Sequence, residues 1–234
     1  MLPHQVNRTC CIVALTLAVA CAPASTARQG TESTSVTRAE TTAVASRAPT
    51  DSNITRADLA RIQGSATAPV WVIEVSDFQC PYCKQWHDQT YPMLRDHYVK
   101  TGKVRLAYVN FPLTMHIHAM PAAEAAMCAA AQDKFWPMHD ALFATQTRWE
   151  SLDTPGVVFD SLAQASGVDI QRWRDCVTTG KMRPLIEADH DRAQRAGASA
   201  TPSFMIGNKL LTGAQSLDEL RKAIDSAMVK NRNQ

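Results

Sequence analysis

Hydrophobic and polar positions divide the chain into three regimes. An apolar run from Cys10 to Ala20 follows Arg8 and is broken by Pro23. Residues 22–53 are mostly Ala, Ser, Thr and Arg, with Val36 and Val44 as their only large apolar side chains. From Ile54 onward the pattern becomes that of packed secondary structure. Val70-Trp71-Val72-Ile73-Glu74-Val75 is nearly continuous in apolar residues, which predicts a strand buried on both faces. Pro81 then suits the first turn of a helix, where its missing N–H would have no partner anyway. That helix carries Cys83, Trp86 and His87, breaks near Pro92 and ends by Gly102. Val104 to Val109 alternates like a second strand, so strand, helix and strand form a parallel crossover unit. Helices are predicted over Pro121–Ala131 and Pro137–Thr145, in a segment ending near Gly167, from an Asp169 cap to Gly180, and over Pro184–Ala196. The end of the chain returns to sheet. Ser203–Ile206 and Lys209–Thr212 flank a Gly207-Asn208 hairpin turn, and Ser216-Leu217-Asp218-Glu219 is a capping box opening a last helix with Leu217, Leu220 and Ile224 inward.

The first two regimes read as address and spacer. A positive residue, a short apolar core and small residues at Ala18 and Ala20 describe an export signal, residues 1–21. The run is too short for a bilayer core, which takes about 20 helical residues. Ala18-Val19-Ala20-Cys21 also resembles a lipobox, in which Cys21 becomes the lipid-bearing first residue of a lipoprotein. Residues 22–53 have too little apolar surface to offset ordering and are expected to be a disordered tether. As a flexible coil its ends would lie on the order of 30 Å apart. The folded domain is expected over 54–230.

Composition narrows the chemistry. A formal charge of +2 on 234 residues supplies no field for nucleic acid or an anionic membrane, so partners must be read from sites. Of seven cysteines, Cys10 and Cys11 would leave with the signal. Cys21, Cys80, Cys83, Cys128 and Cys176 remain, an odd number for an oxidising compartment, and lipid on Cys21 leaves four that pair evenly. The other reading keeps Cys21 as a free thiol in a soluble periplasmic protein.

Cys80-Pro81-Tyr82-Cys83 at a strand-to-helix junction is the strongest signal. Unpaired N–H groups and the positive end of the helix dipole favour thiolate at Cys80, and Cys83, one turn on, can reach back to close a disulfide. Cys80 would exchange with a substrate through a mixed disulfide that Cys83 resolves. A zinc site would need a second Cys-x-x-Cys, and none exists. With Cys80 and Cys83 paired by proximity, Cys128 and Cys176 are left for a structural disulfide; two buried free thiols are the other reading. Glu74 stands in an otherwise apolar strand, where burial would raise its pKa, so it needs a reason to be there. Met115-His116-Ile117-His118-Ala119-Met120 has the thioether and imidazole donors that suit copper, although such residues more often line a core. His87 is expected at the surface of the active-site helix.

Asp77-Phe78-Gln79-Cys80-Pro81-Tyr82-Cys83 together with Thr201-Pro202-Ser203-Phe204 resembles the DsbA-like branch of the thioredoxin superfamily, over about Ile54 to Met228. The resemblance implies a thioredoxin fold (βαβ…ββα) with an inserted α-helical subdomain, here about 115–196. It implies that Pro202 is cis and packs beside Cys80, with Thr201 offering backbone hydrogen bonds to an extended substrate and Pro81 and Tyr82 beside it. In thioredoxin relatives an acid at the position of Glu74 is the proton carrier of the buried second cysteine. The expected activity is disulfide formation or exchange in exported proteins, with no cofactor, no metal, and a membrane redox partner that recycles the site. An oxidase is favoured by the compartment. An isomerase or a periplasmic thiol reductase is the alternative, and a copper-binding chaperone using Cys80, Cys83 and the Met/His cluster is the alternative of another class.

Overall fold

A computed structural model describes residues 51–232. The expected signal with Cys10 and Cys11, the lipobox Cys21 and the tether as far as residue 50 lie outside the described residues. The first described element is helix α1 (Ser52–Ala60), which Asp51 caps by accepting from the Asn53 N–H at 2.8 Å. It begins inside the range read as tether, because Ser52 and Asn53 are polar helix-start residues. The inward face that carries it is only Ile54, Ala57 and Ala60, too faint a stripe to stand out.

The two predicted strands are β2 (Val70–Ser76) and β3 (Val104–Asn110), paired in parallel with Glu74 opposite Tyr108. A two-residue strand, β1 (Ile62–Gln63), adds antiparallel to β3, and the hairpin strands β4 (Ser203–Ile206) and β5 (Lys209–Thr212) add on the other side. The sheet order is β1-β3-β2-β4-β5. Gly64, between β1 and β2, has φ of +99°, and a Cβ there would stand 2.5 Å from the Val104 carbonyl oxygen. Only glycine lets the chain turn so close to β3.

Helices α2 (Pro81–Gln89) and α3 (Tyr91–Leu94) break at Thr90, ahead of Pro92, and a π-helical turn (Arg95–Val99) leads into β3. Six helices follow between β3 and β4: α4 (Ala119–Ala130), α5 (Phe135–Ala144), α6 (Gln146–Trp149), α7 (Gly156–Ala165), α8 (Ile170–Thr178) and α9 (Arg183–Arg195). Asp169 caps α8 by accepting from Gln171 and Arg172 N–H, each at 3.1 Å. The last helix, α10 (Leu217–Arg232), keeps half of its capping box. Ser216 Oγ accepts from Glu219 N–H at 3.3 Å, while the Glu219 carboxylate turns to Lys222 instead.

One face of the sheet is fully covered. Val70, Val72, Glu74 and Ser76 of β2 and Val104, Leu106, Tyr108 and Asn110 of β3 are all buried. The other face is covered only towards Val75, which packs with Phe111, Ala193 and Ala198. The expectation that β2 is buried on both faces is therefore corrected at Trp71, which is exposed and carries the Arg105 guanidinium 4.6 Å from its ring centre. An aromatic can hold such a half-covered position because a cation shields its face.

Two long-range ties lock the helical segment. Cys128 on α4 and Cys176 on α8 are joined by a disulfide across a sequence separation of 48. The fully buried Asp189 of α9 accepts from Arg61, from Arg192 at 2.6 Å, and from the backbone and side chain of Asn110 at 3.2 and 3.0 Å. A buried carboxylate with this many donors is satisfied; removing one cation partner would cost about 3–5 kcal/mol.

Candidate active site

Cys80 is the N-cap of α2 with Pro81 directly after it, so the sulfur sits where the first turn leaves backbone N–H groups without intrahelical partners. Both Cys80 and Cys83 are free thiols, 3% and 0% exposed. The buried Cys83 thiol donates to the Cys80 sulfur, and this, with backbone donors from Cys83 and Tyr82, lowers Cys80 to about 6 against the opposing effect of burial. Burial pushes Cys83 well above the usual thiol value, and the facing Cys80 pushes in the same direction. The helix end thus makes one thiolate and one thiol from two identical side chains.

The Thr201–Pro202 peptide bond is cis. It sets the Thr201 carbonyl oxygen 3.4 Å from Cys80 Sγ, within reach of a thiol donor. Tyr82 is 62% exposed and flanks Cys80 from the solvent side. Cys80, Cys83, Pro81, Tyr82, Thr201 and Pro202 therefore lie at one place.

Glu74 stands opposite Tyr108, whose hydroxyl is pushed upward in pKa by burial and by both Glu74 and Cys83. Its side chain is fully buried, and neither carboxylate oxygen has a hydrogen-bond partner among the described residues. Burial raises it to about 7, over smaller lowering effects from the Ser76 hydroxyl and His87. Ser76, two residues on and on the same side of the strand, and Tyr108, opposite Glu74 across the sheet, complete a set of buried hydroxyls around the acid.

Sequence reasoning missed the frame that holds this site. Asp77 accepts from Gln79 N–H at 2.7 Å, from Leu113 N–H at 2.9 Å and from His116 Nδ1 at 2.7 Å. Gln79 accepts from His118 N–H at 2.6 Å and donates to the Glu150 carbonyl at 3.2 Å. Gln146 of α6 donates to the Phe78 and Cys80 carbonyls at 2.7 and 3.1 Å. Asp77 and Gln79 stood in the motif without a role; Gln146 carried no signal, since its partners are more than sixty residues away.

The Met/His cluster takes its place in that frame. His116 is engaged by Asp77, His118 is buried, and Met115 and Ile117 are 78% and 75% exposed beside the site. His87 is corrected from a surface residue to a mostly covered one. Its Nδ1 faces Asp88 at 3.1 Å, its Nε2 faces Asp140 of α5 at 3.4 Å, and its ring stacks on Tyr91 and Phe143. Burial opposes its charge, but the hydrogen bonds with Asp140 and Asp88 outweigh it and raise its pKa. Donor atoms of His87, His139 and Asp140 lie within 4.8 Å of one another. Their short contacts are hydrogen bonds among themselves and need no ion to account for them. Trp86 and Phe135 are core residues, both fully buried.

The sequence model of the family described as Thioredoxin matches residues 57–226. The probable disulfide bond formation protein D of Bacillus anthracis is 29% identical over 174 residues, covering 71% of this chain and 77% of that protein. Na(+)/H(+) antiporter NhaA 3 of Salinispora tropica is 34% identical over 176 residues, or 75% of this chain. The chain spans only 26% of that antiporter's length, so transport is that protein's property and is not carried over. Among solved structures, oxidised BdbD from Bacillus subtilis matches with a TM-score of 0.65 at 25% identity, over 72% of this chain and 92% of that one. The chain belongs to the thioredoxin family, and within it to the DsbA-like thiol–disulfide oxidoreductases.

Proposed function

We propose that this protein forms and exchanges disulfides in exported proteins through Cys80 and Cys83. The observation that carries the reading is the pairing of a thiolate-stabilising helix end at Cys80 with a buried, protonated Cys83 one turn behind it. In the oxidising direction a substrate thiolate attacks Cys80 Sγ, the Cys80–Cys83 bond breaks, and Cys83 leaves as a thiolate that takes a proton from Glu74. A second substrate thiolate then attacks the substrate sulfur of the mixed disulfide and releases Cys80, whose depressed pKa makes it a good leaving group. Glu74, near neutrality and fully buried, has the right proton affinity for that exchange. The Thr201 backbone supplies pairing for an extended substrate, and the exposed Tyr82, Met115 and Ile117 supply apolar contact. Cys128 and Cys176 serve as the structural disulfide of the helical segment.

Export, lipid attachment at Cys21 and recycling by a membrane redox partner belong to the same reading. Among the described residues no helix is long and apolar enough to cross a membrane. Equilibrating the protein with glutathione tests the direction. A Cys80–Cys83 potential at or above about −200 mV supports oxidase or isomerase, and one below about −270 mV replaces it with a reductase. In a stopped-flow assay Glu74→Gln should slow release of Cys83 by about tenfold or more and remove the pH dependence centred near 7. Unchanged kinetics would take Glu74 out of the mechanism.

A further inference from the structure

Glu74 can act repeatedly only if each proton it passes to or takes from Cys83 is later exchanged with solvent. Its carboxyl is sealed, and the approach through Cys80 is the face a substrate covers in the mixed disulfide. A second way out must lie elsewhere. The ionisable groups around Glu74 and its strand partner Tyr108 are His87 of α2 and Asp140 of α5, which act on Glu74, Tyr91 of α3, on which Glu74 acts, Cys83, which acts on Tyr108, and His139 of α5, whose ring centre lies 5.3 Å from that of Tyr108. Phe204 closes the β4 side. Of these groups, only Asp140 has a large part of its side chain in solvent, and His139 stands between it and the interior.

His139 is fully buried, its ring edge-on to those of Tyr108 and Phe78. Its Nδ1 lies 2.8 Å from Asp140 Oδ1. Partial burial raises the Asp140 carboxyl, but hydrogen bonds from His139 and His87 overcome this and hold it well below the usual carboxylate range. An ionised carboxylate can only accept, so Nδ1 carries the hydrogen. Burial lowers the imidazole to about 4, so the ring is neutral and Nε2 keeps a lone pair. That Nε2 is buried and has no hydrogen-bond partner among the described residues, like the Glu74 oxygens and the Tyr108 hydroxyl. His139 therefore presents an acceptor to the inside and a donor to a solvent-touching carboxylate.

We propose that His139 and Asp140, with His87 as the second imidazole on Asp140, are the proton outlet of Glu74, leading through α5 rather than past Cys80. The inference rests on Glu74 being the proton carrier of Cys83. The count balances in either direction. Outward, Glu74 goes from COOH to COO⁻, the hydroxyl of its strand partner Tyr108 takes that proton and passes its own to Nε2 of His139, Nδ1 gives its own to Asp140, and Asp140 returns to carboxylate by releasing one proton to water. Inward, the same steps reverse from the Nε2–H tautomer that the outward pass leaves, so outward and inward passes alternate. His139 begins and ends neutral, with its hydrogen moved between nitrogens. His139 and Asp140 are positioning and proton-passing residues; neither touches the reacting sulfurs.

The test is repeated-turnover oxidation of a reduced two-cysteine peptide by the full chain, kept oxidised with excess oxidised glutathione and followed as peptide disulfide formed. Rates are taken across pH and across concentrations of imidazole, for wild type, Glu74→Gln, His139→Ala and Asp140→Asn. His139→Ala should be at least about tenfold slow at pH 7 and should recover as imidazole enters the space left by the side chain. Asp140→Asn, at a half-exposed position where folding is not at risk, should be about threefold slow with a displaced pH profile. Wild type should ignore imidazole. If both α5 variants keep the wild-type rate and profile while Glu74→Gln is slow, the outlet is refuted and Glu74 stands. A slow His139→Ala that imidazole never accelerates means a purely structural residue and refutes the outlet equally. Should His139→Ala fail to fold, Asp140→Asn decides alone. If Glu74→Gln runs at wild-type speed, the role of Glu74 as proton carrier is what fails.

Discussion

The two cysteine pairs are chemically identical in sequence terms and opposite in setting. Cys80 and Cys83 sit at the start of a helix, at the seam between the sheet and the helical segment, with unpaired backbone donors around one sulfur and an apolar wall around the other. Cys128 and Cys176 each sit in the last turn of a helix, joined to each other within the core of the helical segment. The first pair is made asymmetric by its surroundings, so one member ionises and the other does not. The second is already joined as a disulfide and lies at the C-terminal turns of its helices, where the helix dipole disfavours a thiolate. Reactivity is therefore a property of where each sulfur is held, and five experiments can break or sharpen that contrast.

The largest effect is expected at Cys80. Cys80→Ala should lower exchange with a peptide disulfide by at least about a thousandfold, since no other described thiol is presented at a helix end. The double change Cys128→Ala/Cys176→Ala should leave exchange within about twofold, yet lower the stability of the domain by about 2–4 kcal/mol in urea unfolding, as expected for opening a loop of this size. Loss of exchange in that double variant, in protein that remains folded, would erase the division of labour.

A smaller effect comes with pH. In the reduced protein, iodoacetamide should modify Cys80 with a midpoint near pH 6, while Cys83 stays unreactive through neutrality. The linked stability has two opposite signs. Cys80 has a folded value below that of an unfolded thiol, so its contribution is complete above the unfolded value of 9.0 and is lost as pH falls through about 6. Glu74 is raised, so its contribution is complete below the unfolded value of 4.5 and is lost as pH rises through about 7. Glu74→Gln should remove the second dependence and keep the first, measured as denaturation midpoints of reduced protein between pH 4 and 9. The smallest effect is expected at Asp169→Ala. It removes the α8 cap beside the structural disulfide and should cost about 1 kcal/mol with no change in exchange rate.

Much of the site is legible in the amino-acid sequence. Cys80 and Cys83 stand out because their chemistry depends on local features, a strand end, a proline and a helix start, all within a few residues. The same holds for β2, β3, the β4–β5 hairpin and the Asp169 cap. Helix α1 and strand β1 leave little trace in the pattern because they are short and held by distant partners. Arg61, the residue between them, is fixed by Asp189 across the whole helical segment. His139 gives no signal at all, being one polar residue in the Phe135–Phe143 helix whose neighbours come from α2, β3 and the Phe78 turn.

The amino-acid order by itself determined where the helix begins that carries Cys80, that Cys83 follows one turn later, and that Glu74 occupies a strand with few polar residues. Hydrogen bonding and periodicity act over a handful of residues, and those relations survive in a linear text. What only the tertiary structure decided is which distant groups surround them: Thr201 against Cys80, Gln146 beneath the Phe78 and Cys80 carbonyls, Asp140 near Glu74 and His139 against its strand partner Tyr108. Electric fields and burial depend on distance in space, and packing brings together residues that the chain keeps far apart.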